Sequence, residues 1–284
     1  MSTYTFWRLR VTANQGARYT AIGEVELRGA AGGSDLATGG TATASSDDGS
    51  NAAANAFDDD AAATAWRTAQ DRQIAWLQYE FSTPVTLKEV VLTLPSTAGA
   101  MAAVDEAPES FTLQASDDGV HWIDWLTVTG EATWAFDEAR TYTADLWRVP
   151  VATTVADEQG ATTATSRPVR VFSRATGLFL GRLTTDANGQ GEVVIPHGGA
   201  VDVIAIDDYG DIWRTGETIN VGDRCIPTIP NGHYYEATVG GTTGASEPAW
   251  PVDESTVTDN DVTWEDQGTL REPVIDGPFV PLAL

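Results

Sequence analysis

Sulfur and positive charge are what this sequence has least of. A single cysteine, Cys225, occurs in 284 residues, so neither an intrachain disulfide nor a thiolate zinc cluster can brace the fold. Sixteen Lys and Arg stand against forty-one Asp and Glu, a formal charge of -25. That surface repels phosphate backbones and anionic lipid alike, which excludes nucleic acid as a partner and argues against membrane surfaces. No run of about 18 apolar residues occurs, so no membrane insertion is expected. The opening "MSTYTFWRLRV" has no basic region followed by an apolar stretch, hence no signal peptide, and an extracellular role would require release by lysis or a dedicated route. Helical periodicity is also missing: no apolar stripe at helical spacing runs beyond about two turns. The alanine-rich "SNAAANAFD" is the best short helix candidate. The acidic excess itself fits a merely soluble surface, a secreted or salt-adapted one, or divalent-metal binding.

What is present is strand pattern and aromatic bulk. Hydrophobic residues make up 42%, with ten Trp, eight Phe and seven Tyr, enough to build cores or to stack on sugar rings. "TFWRLRVTA" (5–13), "GEVELRG" (23–29), "WLQYEF" (76–81), "LKEVVLTL" (87–94), "SFTLQAS" (110–116) and "HWIDWLTV" (121–128) mostly alternate apolar and polar residues. Gly, Pro, Ser and Asp separate them. The expectation is all-β: an antiparallel sandwich over 1–148, a polar Thr/Ala-rich linker over 149–166, and a small immunoglobulin- or prealbumin-like sandwich over 167–222. A short aromatic-rich β-module follows at 223–270. The proline-interrupted end, 271–284, reads as an extended tail lying on a partner.

One stretch demands a chemical explanation. In "NAAANAFDDDAAATAW" (51–66) three carboxylates, Asp58, Asp59 and Asp60, stand side by side. They repel one another and need either open water or a cation. This loop with "IAWLQYEFSTPVTLKEVVLTLP" and "PESFTLQASDDGVHWIDW" resembles the discoidin, or coagulation factor type C, family of the galactose-binding-like fold. Three ordered motifs agree over roughly 80 residues. Two family strands stand out of order, since "FWRLRV" (6–11) and "YTAIGEVELRG" (19–29) resemble its last two strands yet come first, which implies circular permutation. The resemblance implies a structural Ca²⁺ held by Asp58, Asp60, Thr64 and Glu24 with a carbonyl near Asn55. Hard oxygen ligands from a loop that turns back on itself suit that ion. The family's usual Asp-Gly is Asp58-Asp59 here, so the loop must do without the glycine.

A second resemblance covers the rest. "YYEATVGGTTGASEPAWPVDESTVTDNDVTWEDQG" is similar to short modules of bacteriophage tail and tail-fibre proteins that are related to chitin-binding modules, and "VRVFSRATGLFLGRLTTDANGQGEVVIP" to small sandwiches in the same proteins. The combination implies a virion tail, baseplate or fibre component working in an oligomeric assembly with other tail proteins.

Catalytic signatures are missing. His121, His197 and His233 pair with no nucleophile motif, and Cys225 in "GDRCIPT" has no nearby His or basic cluster. The expectation is therefore a non-enzyme. Loops of the first sandwich offer Arg67, Arg72, Trp134 and Phe136 as glycan contacts, or as an interface with another subunit. Tyr235, Trp250 and Trp264 read as the core of a small module or as a glycan platform. The functional expectation is a phage structural and adhesion protein contacting host surface glycans, located in the virion. The alternative is a carbohydrate-binding accessory region of a secreted carbohydrate-active enzyme.

Overall fold

The computed structural model describes residues 3–96, 104–156, 161–271 and 273–284. It is built of strands, with two short 3-10 turns, Ala53–Ala56 and Val104–Glu106, and no α-helix among the described residues. The alanine-rich segment thus supplies only one tight turn.

The first sandwich faces a five-stranded sheet with a three-stranded one. The larger sheet runs Thr41–Ala44, Trp76–Val85, Tyr4–Asn14, Pro108–Ser116, Ile123–Val128, with every neighbour antiparallel. Tyr4–Asn14 takes the centre because its alternation is clean: Trp7, Leu9 and Val11 are buried while Arg10 and Thr12 are exposed. Tyr4, Trp7 and Trp125 meet edge to face with ring centroids 5.2 to 5.8 Å apart, the arrangement aromatic quadrupoles favour. The smaller sheet is Ala139–Thr143, Glu89–Thr93, Glu24–Arg28. Just before its last strand, Gly23 passes so close to Pro95 that a Cβ would sit 2.9 Å from the proline nitrogen. Only glycine lets the chain enter there.

The middle of the chain departs from the sequence expectation in three ways. The described parts of the expected linker 149–166 are strands, while 157–160 lie outside the described residues. Trp147–Ala152 pairs along its whole length with Gln190–Ile195, and Thr154–Ala156 forms a hairpin with Thr162–Ala164. β-branched Val and Thr suit strands as well as loops, and Val149 is buried in the second core. Nor is 271–284 a free tail. Val274–Phe279 adds to Val201–Ala205, and Leu282–Ala283 adds to Trp147–Ala152, so the C-terminus contributes an edge to both sheets of the middle sandwich. The last unit begins near 211 rather than 223, because Asp211–Ile212 pairs parallel with Arg224–Ile226 in its sheet and Trp213 is buried there. That unit is therefore inserted between two neighbouring strands of the middle sandwich.

The middle core is small, built on Val149, Val169, Val171, Leu180, Val193, Ile195, Val201 and Val203. A buried two-pronged ion pair, Arg167 to Asp207 at 3.0 and 2.8 Å, closes one end. No slack separates the first two sandwiches. Leu146 belongs to the first core and Trp147 opens the second; Val194 reaches back into the first; and Arg182 bridges to Asp117 at 2.9 Å.

Candidate functional site

The acidic loop and a buried glutamate form the first candidate site. Ala53 and Ala56 of the tight turn enter the core, and Phe57 stacks on Tyr79 at 4.9 Å. That anchor throws Asp58, Asp59 and Asp60 to the surface. Asp59 has φ at 60°, a left-handed conformation that Asp tolerates better than most side chains. Asp58 accepts the Asp60 N–H at 3.1 Å.

Thr64 closes the loop, and its hydroxyl lies among oxygens. Both carboxylate oxygens of Asp58 are 2.9 Å away, the Asp60 carbonyl 3.0 Å and the Asn55 carbonyl 3.3 Å. One hydroxyl proton cannot serve four acceptors. Glu24 approaches from the smaller sheet, only 5% exposed, with Oε1 on the Val25 N–H at 3.3 Å and Oε2 buried without a hydrogen-bond partner. Burial first, and then the charges of Asp58 and Asp59, push its carboxyl up to about 7 against the opposing Val25 N–H.

The structure thus brings Glu24, Asn55, Asp58, Asp60 and Thr64 to one place. Asp60 offers its main-chain carbonyl, while its carboxylate accepts the Ala63 N–H at 3.2 Å. Among the described residues no three His, Cys, Asp or Glu side chains cluster as a metal site, so a cation here would need hydroxyl and main-chain oxygens besides two carboxylates. The all-oxygen donor set and the orphaned Glu24 oxygen fit a hard cation.

A second candidate lies where loops 14–20, 45–51, 66–75, 104–109 and 129–138 meet. Arg67 grips Glu106 through two nitrogens, 2.9 and 2.5 Å, and lies 3.7 Å above the Tyr19 ring. Arg18 holds Asp71 at 2.7 and 2.5 Å. Asn14 donates to the Ala17 and Tyr19 carbonyls, and Gln15 reaches the Glu131 carbonyl. The outcome is a rigid polar end on which Arg72 and Ile74 stand exposed. Tyr19, Arg18, Asp48, Asp71 and Glu106 were not foreseen as part of it, since no local pattern links residues so far apart in sequence.

Three expected ligand contacts are withdrawn by burial. Trp134 is 3% exposed, its Nε1 donates to the Pro108 carbonyl at 3.0 Å, and Arg140 covers its ring at 4.1 Å. Tyr235 and Trp264 are fully buried in the third core. There the Asp259 carboxylate accepts both the Trp213 and Trp264 indoles, at 2.8 and 3.2 Å, and the Gly244 N–H at 2.7 Å. Trp250 is half-buried against Tyr235, Phe136 is half-buried, Arg67 is committed to Glu106, and Arg72 stays free for a ligand.

Burial pushes the Cys225 thiol up to about 12, the opposite of nucleophile activation. His121 lies 2.7 Å from Asp118 on the surface, and His233 2.8 Å from Asp266. Among the described residues no helix is long and apolar enough to cross a membrane. No curated protein matches the chain. Residues 41–154 match the family model of the F5/8 type C domain, so the first sandwich carries a discoidin-type domain, a module suited to binding carbohydrates or surfaces.

Proposed function

We propose that this chain is a non-enzymatic structural and adhesion component of a bacteriophage tail, baseplate or fibre, and that its discoidin-type sandwich contacts host surface glycans. The binding half of that reading is carried by the F5/8 type C match over 41–154. The exposed polar loop end around Arg72 supplies the surface. The virion half rests on the likeness of the last two units to tail and tail-fibre modules, and it is supported by the way the units interlock without linkers, as a load-bearing assembly requires.

In the same reading the sandwich is circularly permuted. Its central strand Tyr4–Asn14 and the strand Glu24–Arg28 precede the matched span, yet they complete both sheets. The loop 55–64 with Glu24 holds a structural Ca²⁺, which supplies the positive charge that the Asp58 and Glu24 carboxylates lack. Neighbouring tail proteins and a host glycan are the partners, in an oligomeric assembly.

Two measurements test this. Antibody raised against the chain should decorate tails of purified particles in electron micrographs, and a glycan array probed with the whole chain should give binding weakened by Arg72→Ala. Undecorated particles that lack the chain by mass spectrometry would overturn the virion role. A blank array would overturn the adhesive one.

A further inference from the structure

Away from the loops, the outer face of the five-stranded sheet carries an organised row of side chains that neither candidate site uses. Alternation along Tyr4–Asn14 sends Arg8 and Arg10 outward, and the register sets Trp76 and Thr112 opposite Arg10, with Gln78 and Gln114 opposite Arg8. Arg8 donates to the Gln114 side-chain oxygen at 2.7 Å, and Gln114 donates in turn to Asp124 at 2.5 Å. Gln114 is only 5% exposed, so the row is fixed rather than waving in water. The Arg8 guanidinium also lies 3.9 Å over the Trp122 ring.

These two arginines differ from most of the basic side chains here. Those sit in ion pairs, from Arg18 with Asp71 to Arg224 with Glu236. Among the described residues neither Arg8 nor Arg10 has a carboxylate within ion-pair distance. Arg8 is pushed below the usual guanidinium range by burial and then by Arg10. Arg8 and Arg10 thus set two positive charges side by side on the outward face, with neutral residues opposite them on both neighbouring strands.

We propose that this sheet face binds an extended, uncharged polysaccharide chain. The face combines flat aromatic surface at Trp76 and Trp122, both half-buried, with planar groups that grip paired hydroxyls: two arginines and the Gln78 amide. Its charges cancel, Arg8 and Arg10 against Glu80 and Asp124. An anionic polymer would be repelled by the remaining -25 charge, and a protein partner would find no continuous apolar centre to bury. A hydroxyl-rich neutral chain matches on both counts. The middle sandwich leaves the face open: it meets the first through Phe179, Val194 and Arg182, while Arg10, Thr43, Glu80 and Asp124 remain exposed. Five strands at about 4.8 Å spacing give roughly 19 Å of width, room for several sugar units.

The inference rests on the glycan-binding reading of the first sandwich and adds a contact on the sheet to the one at the loops. The test is titration of the whole chain with xylan, laminarin and glucomannan and with their oligosaccharides of one to six units. For at least one series Kd should fall tenfold or more between disaccharide and tetrasaccharide. Trp76→Ala and Arg10→Ala should each raise Kd for the longer oligosaccharides at least fivefold at unchanged melting temperature. Affinity that saturates at one or two units, or that survives Arg10→Ala and Trp76→Ala but not Arg72→Ala, would leave the contact at the loops alone and overturn only this inference. No binding to any of these or to a glycan array would overturn the glycan reading as well.

Discussion

Replacing Glu24 with Gln should stabilise the ion-free protein at neutral pH, the reverse of what removing a buried side-chain partner does elsewhere. Glu24 titrates near 4.5 when unfolded and is pushed up to about 7 when folded. Between those values the folded state holds a proton that the unfolded state has lost, so stability falls as pH rises. The penalty is absent below about pH 4.5 and complete above about pH 7. Taken whole, the displacement corresponds to about 3 kcal/mol as an upper limit. Asp58 and Asp59 are exposed and their repulsion is screened by water and salt, which leaves about 2 kcal/mol from burial of the unpaired oxygen. Neutral, nearly isosteric Gln escapes that cost. In EGTA at pH 7.5, Glu24→Gln should therefore melt several degrees above wild type, at about 2 to 4 °C per kcal/mol, and at pH 4.5 the two should coincide. Adding Ca²⁺ should raise wild type past the variant, since only wild type offers the charge. The assay is differential scanning calorimetry at both pH values. A variant less stable than wild type in EGTA at pH 7.5 would refute the burial argument, and a wild-type melting temperature indifferent to Ca²⁺ would remove the ion.

Three further outcomes are expected. Arg67→Ala strands the 5%-exposed Glu106 carboxylate and should cost about 3 kcal/mol in urea denaturation, with part recovered in the double variant with Glu106→Gln; additive losses would mean the pair is not coupled. Ending the chain after Leu270 strips an edge from each sheet of the middle sandwich and should open residues 147–206 to limited proteolysis, whereas unchanged cleavage would show those strands to be dispensable. Asp259→Asn turns an amide toward the indoles of Trp213 and Trp264 and should cost about 2 kcal/mol with a changed near-ultraviolet tryptophan signal; a silent spectrum would mean the indoles have other acceptors.

The first sandwich was legible because its strands Tyr4–Asn14 and Trp76–Val85 bury mainly one face, so alternation in "TFWRLRV" and "WLQYEF" records the fold directly. The acidic loop was legible through motif order, which carries information that three Asp alone do not. The closing strands were opaque for the opposite reason. Val274–Phe279 is exposed at every position and holds Gly277 and Pro278, so nothing local distinguishes it from a tail. Its partner, Val201–Ala205, lies about 70 residues earlier, and only the assembled sheet reveals the pairing. Aromatic residues left two readings open, core or display. Trp134, Tyr235 and Trp264 serve packing and not display, and composition cannot tell which way an indole faces. Arg67 and Glu106 pair across the loop end from 39 residues apart, beyond the reach of any spacing rule.

The insertion of the last unit has a practical meaning. Ala205 and Val274 stand directly opposite one another in neighbouring strands, and the Tyr209 hydroxyl ties the outgoing and returning chains together by accepting the Arg271 N–H at 2.6 Å. Everything between can be cut out and the gap sealed by a tight turn, or exchanged for another cassette, without disturbing the strands of the host sandwich.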